Sequence, residues 1–322
     1  MRLKLVPSET SWDFFRHARL TFGASVAAVI LSVVLFFVVG LNFGIDFRGG
    51  TTIRTESSTA VDVGTYRQAL SGLGLGDVSI TEVFDPTFGA DRHVTQIRIQ
   101  AQDEQEAVTP EIIRQIEAAL TAIDPAITFP SVESVGPKIS GELIQTAVLS
   151  VLLAIGAVLV YIWLRFEWQF AVGAVAALLH DVALTVGIFS LLQIKFDLAI
   201  IAALLTIVGY SLNDTVVIFD RLRENLRKYK KMDLREVMNL SVNETLSRTV
   251  MTSGTTLIAL IALLVLGGDV IRGFVFAMTW GVIVGTYSSV FVAKNIVLFL
   301  GVKRDWSKTS DGGGTQFANI DA

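Results

Sequence analysis

The sequence predicts an α-helical integral membrane protein with six transmembrane helices and a small α+β domain outside the membrane between the first two. Three observations predict it. Of 322 residues, 52% are hydrophobic and only 17% charged, and the mean hydropathy of +0.59 lies well beyond that of soluble domains. Six apolar runs are each long enough to cross a hydrocarbon core of ~30 Å, which takes ~20 residues of helix. Between the first two runs lie about 100 residues of polar chain with strand and helix periodicities. The net charge of -4 is divided between two aqueous compartments and points to no partner, nucleic acid included. The absence of cysteine excludes disulfides, thiol catalysis and thiolate metal sites, and His17, His93 and His180 are too scattered for a metal cluster. No cofactor is expected.

Residues 1–19 form a polar lead with Arg2, Lys4, Arg16 and Arg19, followed by a charge-free run over 20–41. Positive residues ahead of a span place that end in the cytoplasm. A cleaved signal peptide is the competing reading, but the run exceeds a typical signal core and no small-residue cleavage site follows it, so it reads as an uncleaved anchor. Residues 42–141 then form the extracytoplasmic domain. Gly50 to Ser57 alternates as a strand with Thr51, Ile53 and Thr55 on one face, and Val63, Tyr66, Leu70 and Leu73 repeat at helical spacing. Val78 to Val83 and Val94 to Ala101 read as strands separated by a Pro86/Gly89 turn. A helix begins at Pro110 and presents Ile112, Ile113, Ile116, Leu120 and Ile123, and Ile127 to Val135 is the last strand. The order βαββαβ is that of a ferredoxin-like sandwich, a fold that supports many functions.

Residues 142–302 hold the remaining spans, at about 143–164, 170–192, 198–220, 248–268 and 273–300. A basic stretch from Arg221 to Arg235 belongs in the cytoplasm. Lys294, near the cytoplasmic end of the last span, is expected to snorkel to the interface. Gly273, Ala277, Gly281, Gly285, Ser289 and Ala293 recur every four residues, a small stripe that lets a neighbouring helix approach closely. Residues 303–322, with three glycines after Asp311, read as a disordered cytoplasmic tail.

The fourth span carries Asn213 and Asp214 inside apolar sequence, where an ionisable side chain costs ~2.5 kcal/mol or more. Helix-to-helix glue is one role for that carboxyl; an ion or proton pathway is the other, and the one such residues more often mark. Thr206, Gly209, Tyr210, Asn213 and Asp214 share one polar face, as do Arg248, Thr252, Thr255, Ala259 and Ala262 on the fifth span. Asp214 and Arg248 are expected at similar depth, where cation and burial act oppositely on a carboxylate and make a proton relay available. His180 and Asp181 lie near the centre of the third span. Their role is open between proton conduction and holding helices together, since neighbours on a helix point about 100° apart.

GIDFRGG at Gly44 to Gly50, VGPKISGEL at Val135 to Leu143, LLHDV at Leu178 to Val182, GYSLNDTVVIFDRLREN at Gly209 to Asn225 and LSRTVMTSGTT at Leu246 to Thr256 resemble the SecD/SecF family of bacterial protein-export membrane proteins, on its SecF side. The similarity runs from Trp12 to Val302 with the motifs in order. It implies a subunit of the resistance-nodulation-division superfamily, in the bacterial inner membrane, with both termini cytoplasmic and its domain periplasmic. By the same resemblance it pairs with SecD beside the SecYEG channel and uses the proton-motive force to draw preproteins outward after SecA has started them, with YajC and YidC as further partners. It would be a proton-driven transport subunit and no enzyme. The family's functional carboxylate falls on Asp214 and its functional arginine on Arg248, with Asn213 and Tyr210 beside them. Asp46, Arg48, Gly49 and Gly50 would form a hinge between membrane and domain, two glycines permitting unusual backbone angles. A lipid or small-molecule exporter of the same superfamily is the alternative, disfavoured because such pumps usually carry two six-span halves in one chain. A sensor receptor with a ligand-binding outer domain would need a cytoplasmic output module, for which the roughly 20 residues after the last span leave little expectation.

Overall fold

The computed structural model describes residues 10–60, 62–84, 92–101 and 108–302. Among the described residues, six helices are long and apolar enough to span a membrane: α1 (Ala18–Val38), α5 (Pro137–Arg165), α6 (Trp168–Leu192), α7 (Leu198–Lys228), α8 (Leu234–Leu266) and a last span, Asp269–Leu300. The last is built of α9 (Asp269–Ser288), a π-helical turn at Ser289–Ala293 and α10 (Lys294–Leu300). Between α1 and α5 come β1 (Asn42–Phe43), α2 (Ile45–Arg48), β2 (Gly50–Ser57), α3 (Val63–Leu70), β3 (Val78–Val83), β4 (His93–Gln100), α4 (Pro110–Thr121) and β5 (Thr128–Val135), and β6 (Lys195–Phe196) joins α6 to α7.

The helices outrun the apolar runs that predict them. The fourth continues past 220 to Lys228, and the fifth begins at Leu234 rather than 248. Its start is fixed by Asp233, whose carboxylate accepts from the Arg235 amide at 3.0 Å, and Val237, Met238, Ser241 and Val242 are buried. Much of the basic stretch is therefore two packed helix ends, with Arg221 paired to Glu244 at 2.7 Å. The Pro86/Gly89 turn and the tail lie outside the described residues.

The sheet outside the bundle is ordered β3-β4-β2-β5, every neighbour antiparallel. Its alternation sorts the faces: Thr51, Ile53, Thr55, Ile97 and Ile99 are buried, and Ile53 and Ile97 pack with Tyr66 and Leu70 of α3 and Ile116 and Leu120 of α4. Each such apolar side chain contributes about 1.5–3 kcal/mol. Thr109 caps α4, its hydroxyl accepting from the Ile112 amide, and Pro110 follows at the first helical position.

Two short pairings bind this sheet to the bundle. β1 runs parallel to β6, with Asn42 opposite Lys195 and Phe43 opposite Phe196. The Phe84 amide donates to the Asp269 carboxylate at 2.7 Å while the Asp269 amide donates to the Phe84 carbonyl at 2.9 Å. At the other end of the bundle, the segment before α1 is pinned to α8: the Trp12 amide donates to Asn243 and the Phe14 amide to Asn239, both at 2.9 Å.

Lys294 does not snorkel. It is 1% exposed, its Nζ donates to the Phe14 carbonyl at 3.2 Å, and it sits 4.0 Å from the centre of the Phe15 ring with Phe14 and Phe291 close by. Aromatic faces and one carbonyl take the place of water around the ammonium.

Candidate functional site

α7 buries Ile207, Val208, Ser211, Asp214, Thr215 and Ile218 on one side, a stripe at helical spacing that turns Asp214 inward. The Asp214 side is met by hydroxyls: Ser253 of α8 donates to its carboxylate at 3.4 Å and lies 2.7 Å from Thr286 of α9. Asp214 is 3% exposed. One turn earlier, the Tyr210 hydroxyl donates to Thr256 of α8 at 3.2 Å. Asn213, Thr206 and Gly209 are exposed, on the side of α7 turned away from that core.

Arg248 is exposed and forms no ion pair with Asp214 among the described residues, but it stands near enough for its charge to act on the carboxyl at longer range. Thr249 and Ser253 are buried where α8 meets its neighbours, and Arg248 leaves the helix about 100° around from Thr249, toward its exposed side. The arginine and Asn213 thus stand as polar groups on the outer face of a membrane helix pair.

His180 and Asp181 touch each other, despite the angle between adjacent positions. The His180 Nδ1 lies 3.0 Å from Asp181 Oδ1, while Asp181 Oδ2 accepts from the hydroxyls of Ser211 at 2.6 Å and Ser288 at 2.8 Å. The carboxylate therefore ties α6 to α7 and α9. Hydrogen bonds to a charged group each contribute about 1.5–3 kcal/mol. The His180 ring stacks on Tyr287 with centroids 6.1 Å apart, and the Tyr287 hydroxyl contacts Ser25 and the Thr21 carbonyl of α1.

Gly281 and Gly285 form a seam between α9 and α7. A methyl at Gly281 would fall on the side chain of Ile207, and one at Gly285 would lie 3.0 Å from the Ser211 Cβ. Ala277 and Ser289 continue the seam, both fully buried, and Thr215 lies 2.8 Å from the Ser289 hydroxyl. Gly273 has looser surroundings, its nearest neighbour being Ile200 at 3.7 Å. The hydroxyls that serve both carboxylates, Ser211, Ser253, Thr286 and Ser288, were not singled out by the sequence reading; their place one helical turn from Asp214 or beside the small stripe was the available signal.

At the outer end, Gly49 and Gly50 have φ of 74° and 130°, a conformation closed to most side chains. A Cβ at Gly50 would strike the Ile99 carbonyl oxygen. Asp46 accepts from the Leu198 amide at 3.0 Å, so it caps α7 from a distant part of the chain. Arg48 is exposed, and Phe47 is buried with Phe189 and Phe196.

Residues 115–303 match the family described as protein export membrane protein SecD/SecF, C-terminal, and residues 34–61 match the SecD/SecF GG motif. The chain belongs to the SecD/SecF family. Among the family's members, the protein translocase subunit SecF of Cereibacter sphaeroides is 68% identical over 321 residues, covering 100% of this chain and 99% of that protein. The protein translocase subunit SecF of Rhodobacter capsulatus is 65% identical over 313 residues, 95% of this chain and 94% of the relative. The crystal structure of SecDF from Thermus thermophilus superposes with a TM-score of 0.80 at 37% identity, over 93% of this chain. The chain spans 40% of that longer SecDF chain.

Proposed function

We propose that this chain is the SecF-type accessory subunit of the protein translocase and that it takes up the proton-motive force to promote preprotein export. The observation that carries the coupling is Asp214: a carboxyl 3% exposed, midway along a membrane-spanning helix, met by a Ser253 hydroxyl at 3.4 Å. A side chain so placed has a large cost to offset and a short list of uses. Protons are the coupling ion in this reading, with Tyr210 one turn before the carboxyl and Asn213 on the exposed side of the same helix.

The second part of the reading is a SecD-like partner in the inner membrane. Arg248, Asn213 and Thr206 are exposed within helices that cross the bilayer, and polar groups facing lipid are expensive. A second six-span bundle laid on this face covers them and brings Arg248 into a protein interior. The sheet with α3 and α4 is read as a ferredoxin-like periplasmic domain, because its strands follow the βαββαβ order and all pair antiparallel. SecYEG, SecA, YajC and YidC enter only through the family resemblance.

The test is completion of preprotein transport into inverted membrane vesicles, with the proton gradient imposed or collapsed. Asp214→Asn keeps the size and removes the charge, so assembly with SecD is expected to persist while the response to the gradient disappears. Moving one charge through the membrane potential yields ~2.3 kcal/mol per 100 mV, work available only to a group that changes protonation. A wild-type response in Asp214→Asn reduces the carboxyl to structural glue.

A further inference from the structure

Both buried carboxylates use α7 and α9, but they lie on different sides of the seam. Asp214 faces Ser253 and Thr286; Asp181 faces Ser211 and Ser288. No hydrogen bond joins the two sets among the described residues. His180 distinguishes the second set: it is 4% exposed, and its Nε2 is buried without a hydrogen-bond partner among the described residues.

We infer that His180 and Asp181 form a second proton-binding site, separate from Asp214, which takes one proton on the Nε2 nitrogen of His180. Asp181 accepts two hydroxyl hydrogen bonds on Oδ2, which suits a carboxylate. Its Oδ1 then accepts from His180 Nδ1–H, which leaves Nε2 as the imidazole's bare lone pair. One proton added there turns imidazole into imidazolium and takes the pair from a net charge of minus one to zero. No existing hydrogen bond is broken, because Nδ1–H, Ser211 and Ser288 all keep their acceptor oxygens.

Among the described residues, no full charge other than the pair's own is in direct contact with it. From α9 the pair meets Ser288 and the ring of Tyr287; from α7 it meets Ser211. Tyr287 is itself titratable, and its hydroxyl is engaged by Ser25 and the Thr21 carbonyl. Beyond Tyr287 the stack continues to Phe291, with ring centroids 5.1 Å apart, and Lys294 Nζ lies 5.3 Å from that ring. The nearest cation along this column is thus screened from the pair by two aromatic rings. The use of this proton in export rests on the proton-coupled reading of Asp214; its binding does not.

The test is nuclear magnetic resonance of the chain in its complex with SecD, with 15N-histidine in this subunit. Only three histidines are present, so the His180 signal is the one lost in His180→Asn, a change that keeps a donor near the Nδ1 position. Where that variant fails to assemble, the double variant His17→Asn, His93→Asn leaves the His180 signal alone. The expected result, as the pH is lowered over the range in which the complex stays assembled, is passage from the Nδ1–H tautomer to imidazolium. The same passage is expected in Asp214→Asn, and Asp181→Asn, which removes the carboxylate at His180 Nδ1, should alter it. A His180 signal that holds one charge state across the range overturns the inference, and so does a transition indifferent to Asp181→Asn. Titration of His180 alongside an Asp214→Asn that still responds to the gradient upholds this site while refuting the proposed role of Asp214.

Discussion

Alanine placed along the α9 stripe should change sign from one glycine to the next. In a helix interior, Gly→Ala gains about 1 kcal/mol of helix propensity, so the outcome turns on what the added methyl meets. At Gly281 it meets the Ile207 side chain. Ile207 is 1% exposed and β-branched, and it is carried on a helix that the Ser211 hydroxyl ties to Asp181 at 2.6 Å, so it has no room to turn. Overpacking of that kind costs up to about 3 kcal/mol, leaving a net loss of about 2 kcal/mol, or roughly thirty-fold in the folding equilibrium. At Gly285 the nearest atom is the Ser211 Cβ at 3.0 Å, and cost and gain should nearly cancel. At Gly273 the 3.7 Å distance to Ile200 is ordinary contact, so Gly273→Ala should stabilise by about 0.5–1 kcal/mol. Equilibrium unfolding in mixed micelles, followed by the fluorescence of Trp280, reads all three. Adding Ile207→Ala to Gly281→Ala should return about 1–2 kcal/mol of coupling. Equal effects at Gly281 and Gly273, or no coupling to Ile207, would refute the claim that α9 and α7 are held by close packing at this seam.

Asp46→Ala removes the acceptor for the Leu198 amide and should speed hydrogen exchange at the start of α7 about fivefold, from a cap worth ~1 kcal/mol, whereas Asp46→Asn keeps the acceptor and the protection. Lys294→Met preserves volume but loses the bond to the Phe14 carbonyl; exchange at Trp12 and Phe14 should rise about tenfold, since a charged hydrogen bond contributes ~1.5 kcal/mol, and unchanged protection would show that Asn239 and Asn243 hold the segment alone. In the outer domain, the Ser57 hydroxyl and then the Ala126 amide hold the Asp124 carboxyl below the usual carboxylate range. A depressed folded value means stability present above the unfolded value of ~3.9 and lost as pH falls through the lower folded one. Exchange around Ser57 should therefore differ between wild type and Asp124→Asn at neutral pH and converge in acid, and a constant difference would count against the contact.

What the sequence made legible depended on how local the governing physics is. The apolar runs report desolvation residue by residue, so all six spans were readable, and the alternation of Thr51, Ile53 and Thr55 marked the buried face of β2 directly. Helix ends were not readable from hydropathy: α8 begins at Leu234 because a side-chain cap and a packed amphipathic turn continue it beyond the apolar run. α2 and the β1·β6 pair are too short for any period to register. Lys294 misled because its partner Phe14 is 280 positions away, and from sequence alone an amine near a helix end looks bound for water. His180 and Asp181 misled differently: the 100° step fixes where Cβ atoms leave the helix, while side-chain rotation let the ring and carboxylate converge. For Asp214 the burial was legible from its stripe, but the direction of Arg248 depended on which side of α8 packs inward, and small residues on both sides left that open.

The two buried carboxylates differ in how firmly they are held, and the difference bears on which of them can do work. Asp181 accepts from Ser211 of α7 at 2.6 Å and Ser288 of α9 at 2.8 Å, beside a 3.0 Å contact to His180 on its own helix, so sliding of α7 against α9 strains the first two. Asp214 has a single side-chain hydrogen bond, at 3.4 Å, among the described residues, and a proton added to it costs no strong hydrogen bond. Uptake on His180 Nε2 also leaves the Asp181 contacts in place, so the register of the seam survives both charge states of that pair. A proton on Asp214, by contrast, changes the group that faces Ser253 from acceptor to donor, and Ser253 is shared with Thr286 of α9. In the proposed coupling, protonation of Asp214 would therefore act first where α8 meets α9, while the Asp181 hydrogen bonds continue to join α6, α7 and α9. α7 is joined to the outer sheet at its other end, where its first amide donates to Asp46, four residues before Gly50 and the start of that sheet.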